Sequence, residues 1–226
     1  VANDHVLNFF FDNVPDFAVG VADQHHGPEP WFEEWLNIKP YTVPGHRDLA
    51  GTLVREGDRL GVRFAYSEQL RFDDNFSVPL HMLTPELDVP LVPIHMNCIV
   101  PPLPTPERCL EVGRIIGEIV QRRRPNGERI ALMGTGGLSH DPGGPKYFAV
   151  DERFDRWFLD LISKETPERA AREVTLDAMY AAGDGGTSEL LAWFVVMGAA
   201  RERHAEVIGY EPVLAWRCGT GVAQWV

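Results

Sequence analysis

The segment VPLVPIHMNCIVPPLPTPERCLEVGRIIGEIVQRRR, residues 89–124, constrains the fold more than any other. Val89 to Ile99 is an apolar, partly β-branched run that reads as a buried strand. Prolines 101, 102 and 104 then forbid regular structure. After them apolar residues recur at helical spacing. Thr105 stands at the N-cap and Pro106 at the first helical position, and Arg122 to Arg124 fall where cations favour the helix dipole. A buried strand, a loop and an amphipathic helix in succession make the unit from which α/β folds are built.

The same alternation runs through the rest of the chain. VANDH (1–5) reads as the end of a strand entering a loop, GVRFAYSEQ (61–69) as a strand and ERIALMG (128–134) as a second buried strand. HRDLAGTLVREGDRL (46–60), DERFDRWFLDLIS (151–163), TPERAAREV (166–174), TLDAMYAAG (175–183) and TSELLAWFVVMGAARERH (187–204) read as helices, the last capped by Thr187 or Ser188. VPLHMLTPE (78–86) is a short helix or turn. GPEPWFEEWLNIKPYTVPG (27–45), with four prolines among aromatics, reads as an ordered loop, and residues 205–226 as closing strands. The expected fold is α/β, a central mixed sheet flanked by helices, in one catalytic domain over residues 1–226.

Composition narrows the function. The 226 residues carry 21 basic against 33 acidic side chains, a net charge of −12. That balance excludes a nucleic-acid backbone or an anionic membrane surface as partner. No apolar stretch has the length of a membrane span. The three scattered cysteines form neither a disulfide framework nor a zinc motif, which fits a reducing cytoplasm.

Chemistry-bearing groups in α/β folds gather at the carboxyl ends of strands. His5 ends VANDH, and His140 ends MGTGGLSH, a run whose glycines let the backbone turn sharply and approach a neighbour closely. Glu189 lies in the first turn of an otherwise apolar helix. Each has a plainer reading: a hydrogen-bonded structural imidazole for His140, a capped surface residue for His5, and helix capping for Glu189. His25 and His26 read as exposed loop residues, His95 as a satisfied core imidazole, and Phe9, Phe10, Phe11 and Phe17 as core.

Four segments in order, NDHVLNFFFDNVPDFAVGVAD, VPLVPIHMNCIVPPLPTPERCLEVG, GTGGLSH and GTSELLAWFVVMGA, resemble the class III extradiol ring-cleaving dioxygenases, and they span almost the whole chain. The resemblance implies a non-haem Fe(II) enzyme that opens the ring of a catechol-type substrate, a diol or aminophenol, with dioxygen. It implies His5 and Glu189 as metal ligands and His140 as the acid–base residue, with Gly137, Ser139 and Asn75 at the substrate. The family's further ligand histidine lies in an N-terminal strand, so the chain is expected to continue upstream of Val1 by a strand–helix segment. Where the family has Asp-His-Gly, this chain has Asp73, Asp74 and Asn75, so Asp74 stands at the place of an active-site histidine. The expected assembly is a homo-oligomer or a pairing with a second subunit. Two other functions share the scaffold: a non-catalytic paralogue that partners an active subunit, and a metal-dependent hydrolase.

Overall fold

A computed structural model describes residues 1–123 and 127–226. Its Cα packing divides the chain into two compact units, Val1–Val100 and Pro101–Val226. The first unit runs β1 (Ala2–Asn3), β2 (Phe17–Gly20), β3 (Gln24–Gly27), α1 (Pro30–Leu36), β4 (Tyr41–Pro44), α2 (Arg47–Arg59), β5 (Ala65–Ser67), α3 (Asp74–Leu83) and β6 (Ile94–Met96). Four strands form a mixed sheet in the order β1-β6-β2-β5. β1 runs parallel to β6 with Ala2 opposite His95, and β6 runs antiparallel to β2 with Ala18 opposite the same histidine. β3 and β4 form a separate antiparallel pair. Ala2, Val43, Phe72 and Phe76 form one buried cluster of this unit, with Phe72 and Phe76 stacked at 4.8 Å.

The second unit holds α4 (Pro106–Arg123), α5 (Glu152–Lys164), α6 (Pro167–Glu173), α7 (Leu176–Ala182), a 3-10 turn (Thr187–Leu190), α8 (Leu191–Ala200), β7 (Ala205–Val213) and β8 (Cys218–Trp225). α8 is buried on nearly every side, which its uniformly apolar sequence requires. It meets α4 backbone to backbone: a Cβ on Gly113 would lie 2.0 Å from the Val195 carbonyl oxygen, and one on Gly198 2.1 Å from that of Leu110. β7 and β8 form an antiparallel hairpin with Ala205 opposite Trp225. No helix among the described residues is long and apolar enough to cross a membrane.

Most helices fall where their caps place them. Thr105, Thr166 and Thr175 accept from the backbone N–H three residues on, and Asp151 caps α5. Several readings are corrected. The prolines of residues 27–45 do not prevent a helix: Pro30 occupies the first turn of α1, where no N–H is required of it, and Asn37 ends it in the left-handed region at φ 53°. The run Val89–Ile99 contributes only three strand residues, because Pro90 and Pro93 cannot donate to a ladder. Glu128–Gly134 forms no strand and none of its residues is buried. The sheet found among the described residues of its unit is the β7–β8 hairpin, whose strands pair with each other. Neither Thr187 nor Ser188 caps the last helix: both lie in the 3-10 turn that follows Gly186, Leu190 stands at the N-cap of α8, and Thr187 hydrogen-bonds to the backbone of His140. Phe10 and Phe11 are exposed rather than core, while Phe17 is buried. Arg124 lies outside the described residues.

Candidate active site

His5 leaves the sheet at the carboxyl end of β1. The Asp4 N–H donates to the Met96 carbonyl at 3.0 Å, which carries the strand pairing one residue further. The Asp4 side chain then organises the turn. It accepts from the Asn8 side chain at 2.7 Å and from the N–H groups of Asn8 at 3.1 Å and Phe9 at 3.0 Å, and it lies 3.3 Å from His95 Nδ1. Burial pushes the Asp4 carboxyl up, but the bonds from His95, Asn8 and Phe9 outweigh it and hold the group below the usual carboxylate range. Val6, a β-branched residue, is held at φ 58° in this turn.

The His5 imidazole is braced by the start of α3. Its Nδ1 lies 2.9 Å from Asp73 Oδ2 and 3.5 Å from Asp74 Oδ1. Asp73 is fully buried and caps α3, accepting from the Asn75 N–H at 3.0 Å. Asp74 and Asn75 are half-buried, and the Asn75 side chain lies 3.5 Å from the Asn3 carbonyl. His5, Asp73 and Asp74 can each offer one donor atom with all three atoms within 4.8 Å of one another, a geometry suited to a metal ion.

In the second unit the glycines of residues 133–145 have a local purpose. Gly136 sits at φ +114°, and a Cβ there would lie 2.6 Å from Glu189 Cβ and 2.7 Å from its Oε2. The turn is glycine because the Glu189 side chain fills that space. Glu189 is buried, and its Oε2 accepts from the Gly137 N–H at 3.0 Å. His140 donates from Nδ1 to the Leu138 carbonyl at 2.9 Å. That bond fixes the tautomer and directs Nε2 toward Glu189 Oε2, 3.8 Å away. A second glycine run, missed in the sequence, lies against the other side: a Cβ on Gly186 would sit 2.7 Å from His140 Nε2.

Ser139, expected at the substrate, is fully buried. Its hydroxyl donates to Asp155 at 2.9 Å and accepts from the Asp151 N–H at 2.8 Å, so its polar capacity is used within the protein. Cys218 is held near the same turn, with its thiol pushed up to about 12 by burial and by the charges of Glu189 and Asp155. His25 is corrected from an exposed to a buried residue, because strand alternation in β3 turns it inward against Phe72 at 5.6 Å while His26 faces outward. His95 is a core residue with one nitrogen satisfied; the Nε2 atoms of both His25 and His95 are buried without a hydrogen-bond partner. A cavity of about 830 Å³ in the first unit is lined by His26, Glu29, Glu33, Tyr41, Glu68 and Arg71, and by none of the residues implied for catalysis.

Each unit thus holds imidazole and carboxylate side chains in place, at a strand end in the first and in a glycine-built turn in the second. Residues 1–220 match the family described as the catalytic LigB subunit of aromatic ring-opening dioxygenase, and the chain belongs to that family, the class III extradiol dioxygenases. It is 34% identical over 173 residues to the 2,3-dihydroxyphenylpropionate/2,3-dihydroxicinnamic acid 1,2-dioxygenase of Photorhabdus laumondii, covering 76% of this chain and 50% of that protein. The enzyme of the same name from Rhodococcus jostii is 33% identical over 174 residues, covering 76% of this chain and 52% of its own length. The chain thus spans about half the length of these curated relatives. Among solved structures, an uncharacterized protein from Escherichia coli K12 shares the fold with a TM-score of 0.60 at 16% identity, over 92% of this chain and 79% of its own.

Proposed function

We propose that this chain carries the chemistry of an extradiol ring-cleaving dioxygenase, with a catechol-type diol or aminophenol and dioxygen as substrates. Fe(II) is the metal of this reading, His5 and Glu189 are ligands to it, and His140 is the acid–base residue. The observation that carries the proposal is the His140–Glu189 arrangement: a buried carboxylate 3.8 Å from an imidazole nitrogen whose tautomer is set by a backbone carbonyl.

The surroundings of both His5 and Glu189 suit a metal ligand. His5 has a carboxylate on Nδ1, the outer-sphere partner that ligating histidines commonly keep, which makes Nε2 the ligating nitrogen. Glu189 is a carboxylate buried at the start of an apolar helix, where charge is sustained by pairing or by a metal. When bound, Fe(II) supplies a Lewis acid that lowers the pKa of a diol and a path for electrons to dioxygen.

The protein's own groups handle the protons. His140 Nε2, an acceptor in the tautomer that Leu138 imposes, takes the proton of a diol hydroxyl and returns one as the ring opens. Both atoms of dioxygen enter the ring-opened product. Asp74, where the family has histidine, adds negative charge beside His5 and disfavours substrates with an anionic side chain. Asn75 and Gly137 border the substrate. Cysteines outside any disulfide accord with a reducing cytoplasm, and assembly as a homo-oligomer or with a second subunit belongs to the same reading.

Oxygen uptake by the protein loaded anaerobically with Fe(II), across catechols, aminophenols, gallates and hydroxypyridones, tests the proposal. His140→Ala should keep its iron and lose ring cleavage by about 10²–10⁴-fold. Loss of iron in that variant would remove the acid–base assignment. An iron-loaded native protein inert to every substrate would favour the non-catalytic paralogue.

A further inference from the structure

The turn that carries His140 rests on a buried carboxylate, Asp155 on α5. Asp155 is fully buried. Its Oδ1 accepts the Ser139 N–H at 2.8 Å. Its Oδ2 accepts the Ser139 hydroxyl at 2.9 Å and the Tyr210 hydroxyl at 2.8 Å. The direction of the Ser139 bond is settled by its neighbour: Ser139 Oγ already accepts the Asp151 N–H at 2.8 Å, so its own proton points to Asp155. Three donors converge on one carboxylate. Burial raises its pKa, and the bonds from Ser139 and Tyr210 oppose that rise by favouring the ionised form.

The other side of the same dipeptide is clamped by β8. The Leu138 N–H donates to the Gly219 carbonyl at 2.8 Å, and the Gly219 N–H donates to the Ser139 carbonyl at 3.0 Å. A Cβ on Gly219 would lie 1.9 Å from Asp155 Oδ2, so the hairpin is glycine where the carboxylate reaches in. Leu138 and Ser139 are therefore held between a strand and a carboxylate. The Leu138 carbonyl is the acceptor for His140 Nδ1 at 2.9 Å.

The geometry points to Asp155 as a positioning residue for His140: through Ser139 it fixes the Leu138 carbonyl, and with it the ring's orientation and the nitrogen that carries the proton. This inference rests on the proposed acid–base role of His140 for its catalytic consequence, but not for its structural one. In the full chain, Asp155→Asn keeps the side chain's size and loses the capacity to accept all three donors. It should lower kcat by about 10²-fold, with KM within twofold and iron content unchanged. Tyr210→Phe removes one donor of three and should lower kcat by about threefold to tenfold with the same unchanged KM. The second readout needs no activity: nitrogen-15 NMR of the metal-free chain should show His140 as a single Nδ1–H tautomer in the native protein and as a mixture in Asp155→Asn. A native tautomer in a folded Asp155→Asn overturns the inference whatever the activity assay gives. If Asp155→Asn does not fold, Tyr210→Phe decides alone, and native kcat together with a native His140 signal overturns the inference. A shifted tautomer in a chain that cleaves no substrate supports the inference and rejects the proposed function.

Discussion

The His5 turn and the His140 turn solve one problem in opposite ways. Both must carry an imidazole off the end of an extended segment and hold it still. The first turn is built from an added group: the Asp4 carboxylate gathers two backbone N–H groups, the Asn8 amide and His95. The second is built from an omitted one: Gly136 has no Cβ, so Glu189 can lie where a side chain would be. A carboxylate-built turn fails when the group is removed, and a glycine-built turn fails when a group is added.

Asp4→Ala should show the largest loss. It leaves the Asn8 and Phe9 N–H groups and His95 Nδ1 without their acceptor, and should destabilise the protein by about 4 kcal/mol in urea unfolding. Gly136→Ala should cost about 3 kcal/mol, from a left-handed alanine and a clash with Glu189. The sharper test is rescue. Asp4→Asn restores an acceptor and should recover part of the loss, whereas no larger residue at 136 can. Equal recovery by Asn at position 4 and Ser at position 136 would break the comparison.

Acid should separate the two regions as well. Burial, with the nearby charges of His26 and His95, lowers the His25 pKa from 6.5 to about 4. Its folded pKa lies below the unfolded one, so the unfolded chain takes up the proton first. The stability it contributes is complete above pH 6.5 and is lost as pH falls toward 4, by as much as about 3 kcal/mol. Asp4, also depressed, adds a loss in the same direction at lower pH. Asp155 in the second unit is shifted upward, so mild acid favours its folded state relative to the unfolded one. Hydrogen exchange should show β1, β2 and β3 opening before α5 and β8 between pH 6.5 and 4, and His25→Phe should flatten that dependence. Opening of α5 first would contradict the assignment.

The smallest expected effect is at Asp74, which lies 3.5 Å from His5 Nδ1 and is half-exposed. Asp74→His should leave stability within about 0.5 kcal/mol. It should shift substrate preference toward diols with an anionic side chain, read as a ratio of kcat/KM values. An unchanged ratio would place Asp74 outside the substrate's reach.

Helices were the legible part of the fold because their signals are local. Thr105 before Pro106, Thr166 before Pro167 and Asp151 before an amphipathic run each satisfy a backbone N–H only three residues away. Strands were harder. Ile94–Met96 and Glu128–Gly134 are both apolar runs, yet only the first finds neighbours in a sheet. Pairing joins residues such as Ala2 and His95, far apart in sequence, and no local pattern reports it. The motif residues His5, His140 and Glu189 could be singled out because each stands at a punctuation of the chain. Asp155 could not. It sits in the first turn of α5, where an acidic residue reads as an ordinary partner of the helix dipole, and only folding shows it buried.

The amino-acid sequence by itself determined the α/β class, the starts of the capped helices α4 to α7 and the identity of the family. These depend on periodicity, caps and motifs that are complete within short stretches of chain. The tertiary structure alone decided which side chains are spent in support. It buried His25 while exposing Phe10, and it turned Ser139 inward to Asp155. It set the Gly136 turn around Glu189, 53 positions along the chain. Hydrogen bonds and excluded volume act over a few ångströms of space, and only the fold brings such distant residues that close.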